Sequence, residues 1–407
     1  MKRTPLLAAL CLPLALAAAP LSQRLRPFLN PQTWQAPRLP DVTRDTLEQS
    51  LRAARAYFLA QQKPDGNFTY ALDIPSGETA NDDNQVRQAG AFWGLALLHT
   101  HAPTPETRRA IVRAIDFFAR HTRRLDCGET AFAYPGDDAV KTGTIAILTI
   151  ALLDVIQDPQ LDEDHRQLCR RLAFSYLAFL RAMELDNGSW ASAYILPIRF
   201  KDPDPSPYYD GEALLAYTRA ARALNRKDLL RRLDDALPKV LARYTADAWD
   251  VLRASDSTKG FAQWGAMACA AYLEAGWKTH AQTAADAAIA LAYWQLFENQ
   301  IELRRGNTAY AVEGLAAACQ VARLTRNRQA LDLIEPAIRR TLARLTLCQF
   351  KGPFMSLNRH FLTFADKTPA AAGGITDSPD SSVVRIDIVQ HQVHAILLSL
   401  RHLDWQN

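Results

Sequence analysis

The sequence has no strong excess of either charge. Lysine and arginine together number 47 and aspartate and glutamate 43 among 407 residues. Nucleic-acid recognition needs a clustered basic surface, often with interleaved aromatic residues, and no such cluster is present. Arginines such as Arg108, Arg109 and Arg113 are spread along helical patterns, as on a solvated face. We therefore expect no nucleic-acid partner.

Cysteine is scarce and irregularly spaced. None of the six cysteines forms a C-x-x-C pair, so a structural zinc site is not indicated. A disulfide that involves Cys127 stays open, and Cys269 lies in an apolar stretch where a free thiol packs as a small hydrophobe. His391 and His394 lie three residues apart without a convincing third ligand. We predict no metal and no other cofactor.

Long apolar runs are absent beyond the first residues. A basic start, Met1-Lys2-Arg3, precedes an apolar run at residues 6–16, and Ala15-Leu16-Ala17 fits an A-x-A cleavage site. That run is too short for a permanent membrane anchor. The pattern predicts a signal peptide at residues 1–17, a periplasmic or secreted product and no membrane span.

Strict alternation of apolar and polar residues, the pattern of a strand, is also rare. Residues 194–198 and 382–388 are the two stretches where we predict strands. After a Pro- and Arg-rich lead-in at residues 18–42, which we expect to be irregular, residues 43–407 form one predicted domain of paired helices. The outer, amphipathic members are predicted at residues 45–62, 105–123, 163–183, 228–244, 280–298 and 328–347. The buried, apolar members are predicted at residues 86–99, 139–156, 209–224, 260–276, 308–324 and 386–403.

The number of pairs and the character of the buried helices indicate the architecture. The repeat stops at six, and the buried helices are apolar on all sides, whereas a linear solenoid keeps an exposed concave face. We therefore predict an all-α (α/α)6 toroid rather than a solenoid.

Loop length assigns a functional end to this toroid. Connections that lead into the buried helices are long, at residues 63–85, 124–138, 184–208, 245–259, 299–307 and 348–385, while the return connections are short. Long loops in compact domains are often functional. They collect aromatic and acidic residues, as a cleft for sugar rings does.

Acids at the starts of the buried helices are the candidate catalysts. Glycosidic cleavage needs two carboxylates, one of which keeps its proton in an apolar setting. The predicted catalytic residues are Glu313, Glu212, Asp210, Asp83 and His391, the last as a general base or hydrogen-bond partner. The alternative is that many of these acids only cap helices.

Neighbouring polar and aromatic residues are the candidate substrate contacts. A guanidinium near the loops would bind a uronate carboxylate, unless it pairs with Asp82, Asp137 or Asp387. Likewise, single aromatic residues would serve only to anchor loops if they do not line a cleft. The predicted substrate-binding residues are Arg87, Gln88, Tyr134, Asp138, Trp190, Tyr208, Tyr209, Gln263, Trp264, Tyr310 and Arg385.

Three short segments support a family resemblance. They are residues 84–90 (NQVRQAG), 187–190 (NGSW) and 208–215 (YYDGEALL). With the six helical pairs, they resemble the (α/α)6-toroid carbohydrate-active enzymes, and among these are similar to the C-terminal domain of glucuronyl C5-epimerases. The resemblance implies a glycan substrate.

The sequence leaves the reaction open. Our leading hypothesis is an exported enzyme that hydrolyses a polysaccharide or oligosaccharide with paired carboxylates. The alternatives are a uronate epimerase or lyase, or a non-catalytic glycan-binding or assembly protein. Other envelope proteins remain open as partners.

Overall fold

The computed structural model describes residues 20–25 and 40–405. The predicted signal peptide at residues 1–17 lies outside these ranges. In chain order the α-helices of the described part are α1 (Leu21–Leu25), α2 (Arg44–Gln61), α3 (Gln85–His101), α4 (Pro105–Arg120), α5 (Thr142–Val155), α6 (Glu163–Ala182), α7 (Pro207–Ala223), α8 (Lys227–Tyr244), α9 (Ala246–Val251), α10 (Asp256–Glu274), α11 (Ala281–Tyr293), α12 (Ala309–Leu324), α13 (Arg328–Thr346), α14 (Arg359–Leu362) and α15 (Ile386–His402).

Six of these helices form a closed inner ring. In ring order they are α3, α5, α7, α10, α12 and α15; each packs against the next, and α15 packs against α3. The contact between the last and the first helix would be missing in a linear solenoid, so the predicted (α/α)6 toroid is confirmed. The outer layer consists of α2, α4, α6, α8, α11 and α13.

The sequence explains which helices lie inside. Every residue of α5 except Asp154 is buried, because a helix without a polar face is covered on all sides. By contrast, the outer helix α4 buries Ala110, Ile111, Ala114 and Phe118 at three- and four-residue spacing and turns its other side to solvent. None of the described helices is long and apolar enough to cross a membrane.

Short strands connect the long loops. Strand β1 (Ala71–Asp73) pairs antiparallel with β7 (Val383–Arg385), which ties the first long loop to the last. The other pairings are β2 (Thr122–Arg124) with β3 (Thr130–Phe132), and β4 (Ala139–Lys141) with β5 (Ala193–Ile195) and β6 (Phe200–Asp202).

These strands correct parts of the sequence prediction. Residues 139–141 were predicted to begin a buried helix, but they pair with β5, and α5 begins at Thr142. Three-residue strands are too short to show an alternating pattern, which explains why only β5 and β7 were anticipated. Within the lead-in predicted to be irregular, α1 packs with Leu25 fully buried, and Arg24 pairs with Asp250 at 3.2 Å.

The thiols of the described cysteines are all free. Cys127 is exposed, and Cys169, Cys269, Cys319 and Cys348 are buried.

Candidate active site

Polar side chains lie near the starts of five inner helices, at the end of the ring that receives the long loops. They are Gln88 of α3, Glu212 of α7, Gln263 of α10, Glu313 of α12 and His391 of α15. We call this end the mouth. Because α7 and α15 are opposite each other in the ring, Glu212 and His391 come from opposite sides of the mouth.

His391 and Glu313 form a hydrogen-bonded pair. His391 Nδ1 lies 2.9 Å from Glu313 Oε1, and Gln263 Nε2 donates to Glu313 Oε2 over 3.3 Å. The Glu313 side chain is fully buried, whereas 24% of the His391 side chain is exposed. Because a carboxylate only accepts hydrogen bonds, the proton of a neutral His391 belongs on Nδ1. This leaves Nε2 as the nitrogen that a ligand can meet.

The charges of this pair reinforce each other. Burial alone would raise the pKa of Glu313, but the charge of His391, followed by that of His394, lowers it. Burial likewise opposes protonation of His391, yet the charge of Glu313 and its hydrogen bond raise the histidine pKa. The pair therefore consists of a buried carboxylate and an imidazole that is a stronger base than a free one.

A layer of rings lies below His391. Trp93 of α3 and Trp264 of α10 stack with their centroids 6.0 Å apart, and Trp264 lies 6.4 Å from His391. His394, one turn further along α15, lies 4.4 Å from Trp93 and places Nδ1 3.6 Å from Glu313 Oε1. Since α3 and α10 are opposite in the ring, the two indoles meet across the central channel, where Trp93 is 1% and Trp264 2% exposed. Sequence reasoning missed Trp93, which lies between Phe92 and Gly94 of α3.

Glu212 is a buried carboxyl on the other side of the mouth. Glu212 is 3% exposed, and burial raises the pKa of its carboxyl group to about 8. Within the described ranges, Glu212 Oε2 has no hydrogen-bond partner. Gly143 of α5 leaves room for this oxygen, because a Cβ added there would lie 2.3 Å from Glu212 Oε2 and from the Tyr209 ring. At neutral pH Glu212 therefore holds its proton and is an O–H donor.

Two arginines share one carboxylate beside His391. Arg385 donates to Asp387 through Nε over 2.7 Å and through a terminal nitrogen over 3.0 Å. Arg87 Nε lies 3.3 Å from the same carboxylate, and Arg87 also donates to the Tyr70 hydroxyl. Burial would raise the pKa of Asp387, but Arg385 and then Arg87 lower it. Both guanidiniums remain 35% exposed, so this cluster carries a net positive charge at the mouth.

Asp210 and Trp190 have structural roles. Asp210 is fully buried and accepts hydrogen bonds from the Trp190 backbone N–H over 2.8 Å and the Tyr244 hydroxyl over 2.7 Å. The Trp190 side chain is 1% exposed and packs edge-on against Tyr217. Both residues therefore anchor the third long loop to α7 and do not face the mouth.

Asp83 lies at the start of α3 within a hydrogen-bond network. It accepts from Gln88 Nε2 over 2.7 Å and from the Tyr134 hydroxyl. Gln88 also binds the backbone of Phe68, through a 3.1 Å and a 2.9 Å hydrogen bond. Asp83 remains exposed, so it is an acid that a ligand can reach.

The remaining predicted contacts differ in exposure. Tyr208 is 48% exposed and Asp138 is exposed, whereas Tyr310 is partly covered. Tyr209 packs toward Gly143. Sequence reasoning also missed Gln85, which is fully buried and binds the β4 backbone. Among the described residues no group of three or more His, Cys, Asp or Glu side chains is arranged to hold a metal ion.

Comparison with known proteins identifies the fold. No protein-family model and no curated protein matches the sequence. Three of the solved structures that match are a D-mannose isomerase (11% identity, TM-score 0.59, 88% of this chain and 97% of that chain), a cellobiose 2-epimerase from Spirochaeta thermophila (14%, 0.61, 88% and 96%), and a GH76A alpha-1,6-mannanase from Salegentibacter (10%, 0.60, 88% and 99%).

The fold is that of the (α/α)6-toroid carbohydrate-active enzymes. The architectural part of the resemblance drawn from the sequence is therefore confirmed. Identities of 10–14% carry the fold alone, so the reaction has to be argued from the residues of this chain.

Proposed function

We propose that the protein is a carbohydrate-active enzyme that moves a proton at a carbon atom of a sugar, as an epimerase or isomerase. The observation that supports this most is the His391–Glu313 pair, with its exposed imidazole and buried carboxylate. A carboxylate that fixes the tautomer and raises the pKa of a histidine is the arrangement expected of a general base.

The opposed side chains suit proton transfer. His391 Nε2 would take a proton from a carbon next to a carbonyl group, and the electron pair of that C–H bond would move onto the carbonyl oxygen. Glu212, protonated on the opposite helix, would donate its proton to that oxygen. His391 then returns its proton, to the same carbon after the planar intermediate has turned its other face toward Nε2, which gives the epimer, or to the neighbouring carbon, which gives the isomer. Glu212 takes back a proton from the oxygen that becomes the new carbonyl.

Hydrolysis by Glu313 and Glu212 as a carboxylate pair has less support. Both oxygens of Glu313 are hydrogen-bonded and its pKa is lowered, so it does not carry the proton that an acid would give to a glycosidic bond. We therefore assign Glu313 the positioning of His391. The second candidate function is hydrolysis with Glu212 as the protonated acid and Asp83, which is exposed at the mouth, as the second carboxylate.

The arginine cluster supports an anionic substrate. Arg87 and Arg385 divide one carboxylate between them, so N–H donors of both remain for a second anion. We propose that they bind a carboxylate of a sugar acid, next to the base. A neutralised carboxylate would also make the adjacent C–H bond more acidic. This deepens the proposal and is tested separately below.

A product assay distinguishes the candidates. The purified protein would be incubated with free aldoses, cellobiose, uronate oligosaccharides and alpha-1,6-mannan, and products would be identified by NMR and by reducing-end release. New epimers or ketoses without chain cleavage support proton transfer. New reducing ends support hydrolysis, and binding without any product supports a glycan-binding protein.

We also propose that the protein is exported, with a glycan of the cell envelope or surroundings as its substrate. The support is the leader pattern at residues 1–17. Cell fractionation with N-terminal sequencing checks this, and an uncleaved cytoplasmic product would contradict it.

A further inference from the structure

The central channel holds a cavity on the other side of the Trp93–Trp264 layer. Its volume is about 860 Å³, and the C-terminal halves of all six inner helices line it. We call it the rear chamber. Its walls combine polar side chains with apolar ones, and each of the six helices contributes at least one apolar residue: Leu97, Leu153, Leu215, Met267, Ala317 and Leu397. Nothing in the proposed reaction at the mouth requires it.

The rim of the rear chamber carries two incompletely neutralised arginines. Arg222 lies 3.3 Å and Arg401 3.2 Å from Glu274, so one carboxylate serves two guanidiniums. The arginine side chains are 52% and 66% exposed. A guanidinium has five N–H donors in a planar fork. This pair therefore has donors to spare for a second anion.

Deeper in the chamber the charges are already paired. Arg219 forms a double hydrogen bond with Asp154, which also accepts from the Trp93 indole over 2.9 Å. At the edge, Arg44 and His101 share Glu48. The surplus of positive charge therefore lies at Arg222 and Arg401, with the leucines of the chamber behind it.

We propose that the rear chamber binds an anionic amphiphile with a single alkyl chain. The chain would lie against the leucines and Met267, and the carboxylate or other anionic head would bind Arg222 and Arg401. The volume is within the range of small-ligand pockets, which are mostly apolar with a few polar groups that fix orientation. The apolar residues from all six helices would bury an alkyl chain, which a free sugar lacks.

The first test is a chain-length series. Calorimetry with octanoate, decanoate and dodecanoate, each below its micelle concentration, should show affinity rising by about fourfold per added CH₂, the factor for burying a methylene group. Decyltrimethylammonium and decyl maltoside have comparable chains without the anionic head and should bind at least about tenfold more weakly than decanoate. Equal binding of the cationic amphiphile, or affinity independent of chain length, would overturn the proposal.

The second test uses the rim. The Arg222→Ala/Arg401→Ala double variant should weaken decanoate binding by about tenfold or more, the scale of lost charged hydrogen bonds, and leave decyl maltoside unchanged. Arg109→Ala, which removes another exposed, paired arginine from the outer helix α4, is the matched control. Both substituted arginines are exposed, so the variants should keep the wild-type Tm. Unchanged decanoate affinity in the double variant would refute the assigned head-group site.

A vesicle assay distinguishes two sources of the amphiphile, a membrane lipid and a free molecule. Cosedimentation with phosphatidylglycerol vesicles that depends on Arg222 and Arg401 would assign the same chemistry to a membrane lipid. Decanoate binding without cosedimentation would assign it to a free amphiphile. Absence of both would overturn the proposal.

Discussion

Glu212 should make the protein less stable as the pH rises. Its pKa is raised from 4.5 to about 8 in the folded protein, so the folded state binds the proton more tightly than the unfolded chain does. Stability is then greatest below pH 4.5 and falls as the pH rises from the unfolded toward the folded pKa. A Glu212→Gln variant has nearly the same shape and cannot ionise, so it should escape this loss.

The size of the effect follows from the two pKa values. Proton linkage gives a loss of about 3 kcal/mol between pH 5 and pH 7.5 for the wild type relative to the variant. With an unfolding entropy of about 2.1 cal/mol/K per residue over a domain of this size, the loss corresponds to about 4 °C in Tm. Because Glu212 is 3% exposed, solvent screening reduces it little.

Differential scanning calorimetry across this pH range measures the difference directly. The Tm of Glu212→Gln minus that of the wild type should rise by about 4 °C from pH 5 to pH 7.5, while the exposed-acid control Glu78→Gln should give a flat difference. A flat difference for Glu212→Gln would mean that this carboxyl ionises normally. It would then be unable to act as a proton donor at neutral pH.

Four further variants test the mouth. Glu313→Gln should lower turnover by about a hundredfold or more and shift the rising limb of the pH–rate profile to lower pH, because the carboxylate that raises the pKa of His391 is gone; kcat/KM measured against pH checks both. Gly143→Ala should displace the buried carboxyl group of Glu212 on the neighbouring helix. It should cost roughly 1–3 kcal/mol of stability and lower activity, as measured by Tm and turnover. Arg87→Ala and Arg385→Ala should weaken binding of a uronate oligosaccharide much more than binding of a neutral one, and added salt should weaken binding of the uronate to the wild type. Titrations with both oligosaccharides at two ionic strengths measure this. Equal losses of affinity for the charged and the neutral oligosaccharide would contradict it.

The architecture could be predicted because it follows from the hydrophobic patterns of the individual helices. Apolar helices such as α5 lack any polar face, and their number indicates the ring. The short strands were harder to predict because β4 is defined by its partner β5 and by Gln85, not by its own three residues. Here tertiary contacts override local propensity.

The candidate site was only partly predictable. The sequence pointed to His391 and Glu313 separately, but they are 78 residues apart and their hydrogen bond exists only in the folded ring. Similarly, burial decides that Glu212 holds a proton and that Asp210 serves as an anchor. Asp210 and Glu212 lie two residues apart on α7, yet their roles differ because their neighbours in the folded protein differ. No local sequence pattern identifies those neighbours.

Exchange of carbon-bound hydrogen in D₂O tests proton transfer by His391 most directly. With a sugar that the product assay shows to be converted, the wild type should place deuterium on carbon in the product and, by reversal, in recovered substrate. His391→Asn should lose this exchange by about a hundredfold or more and still fold, with a lower Tm because buried Glu313 loses its charged partner. Product formed without carbon-bound deuterium, or undiminished exchange in His391→Asn, would contradict the proposed role of His391.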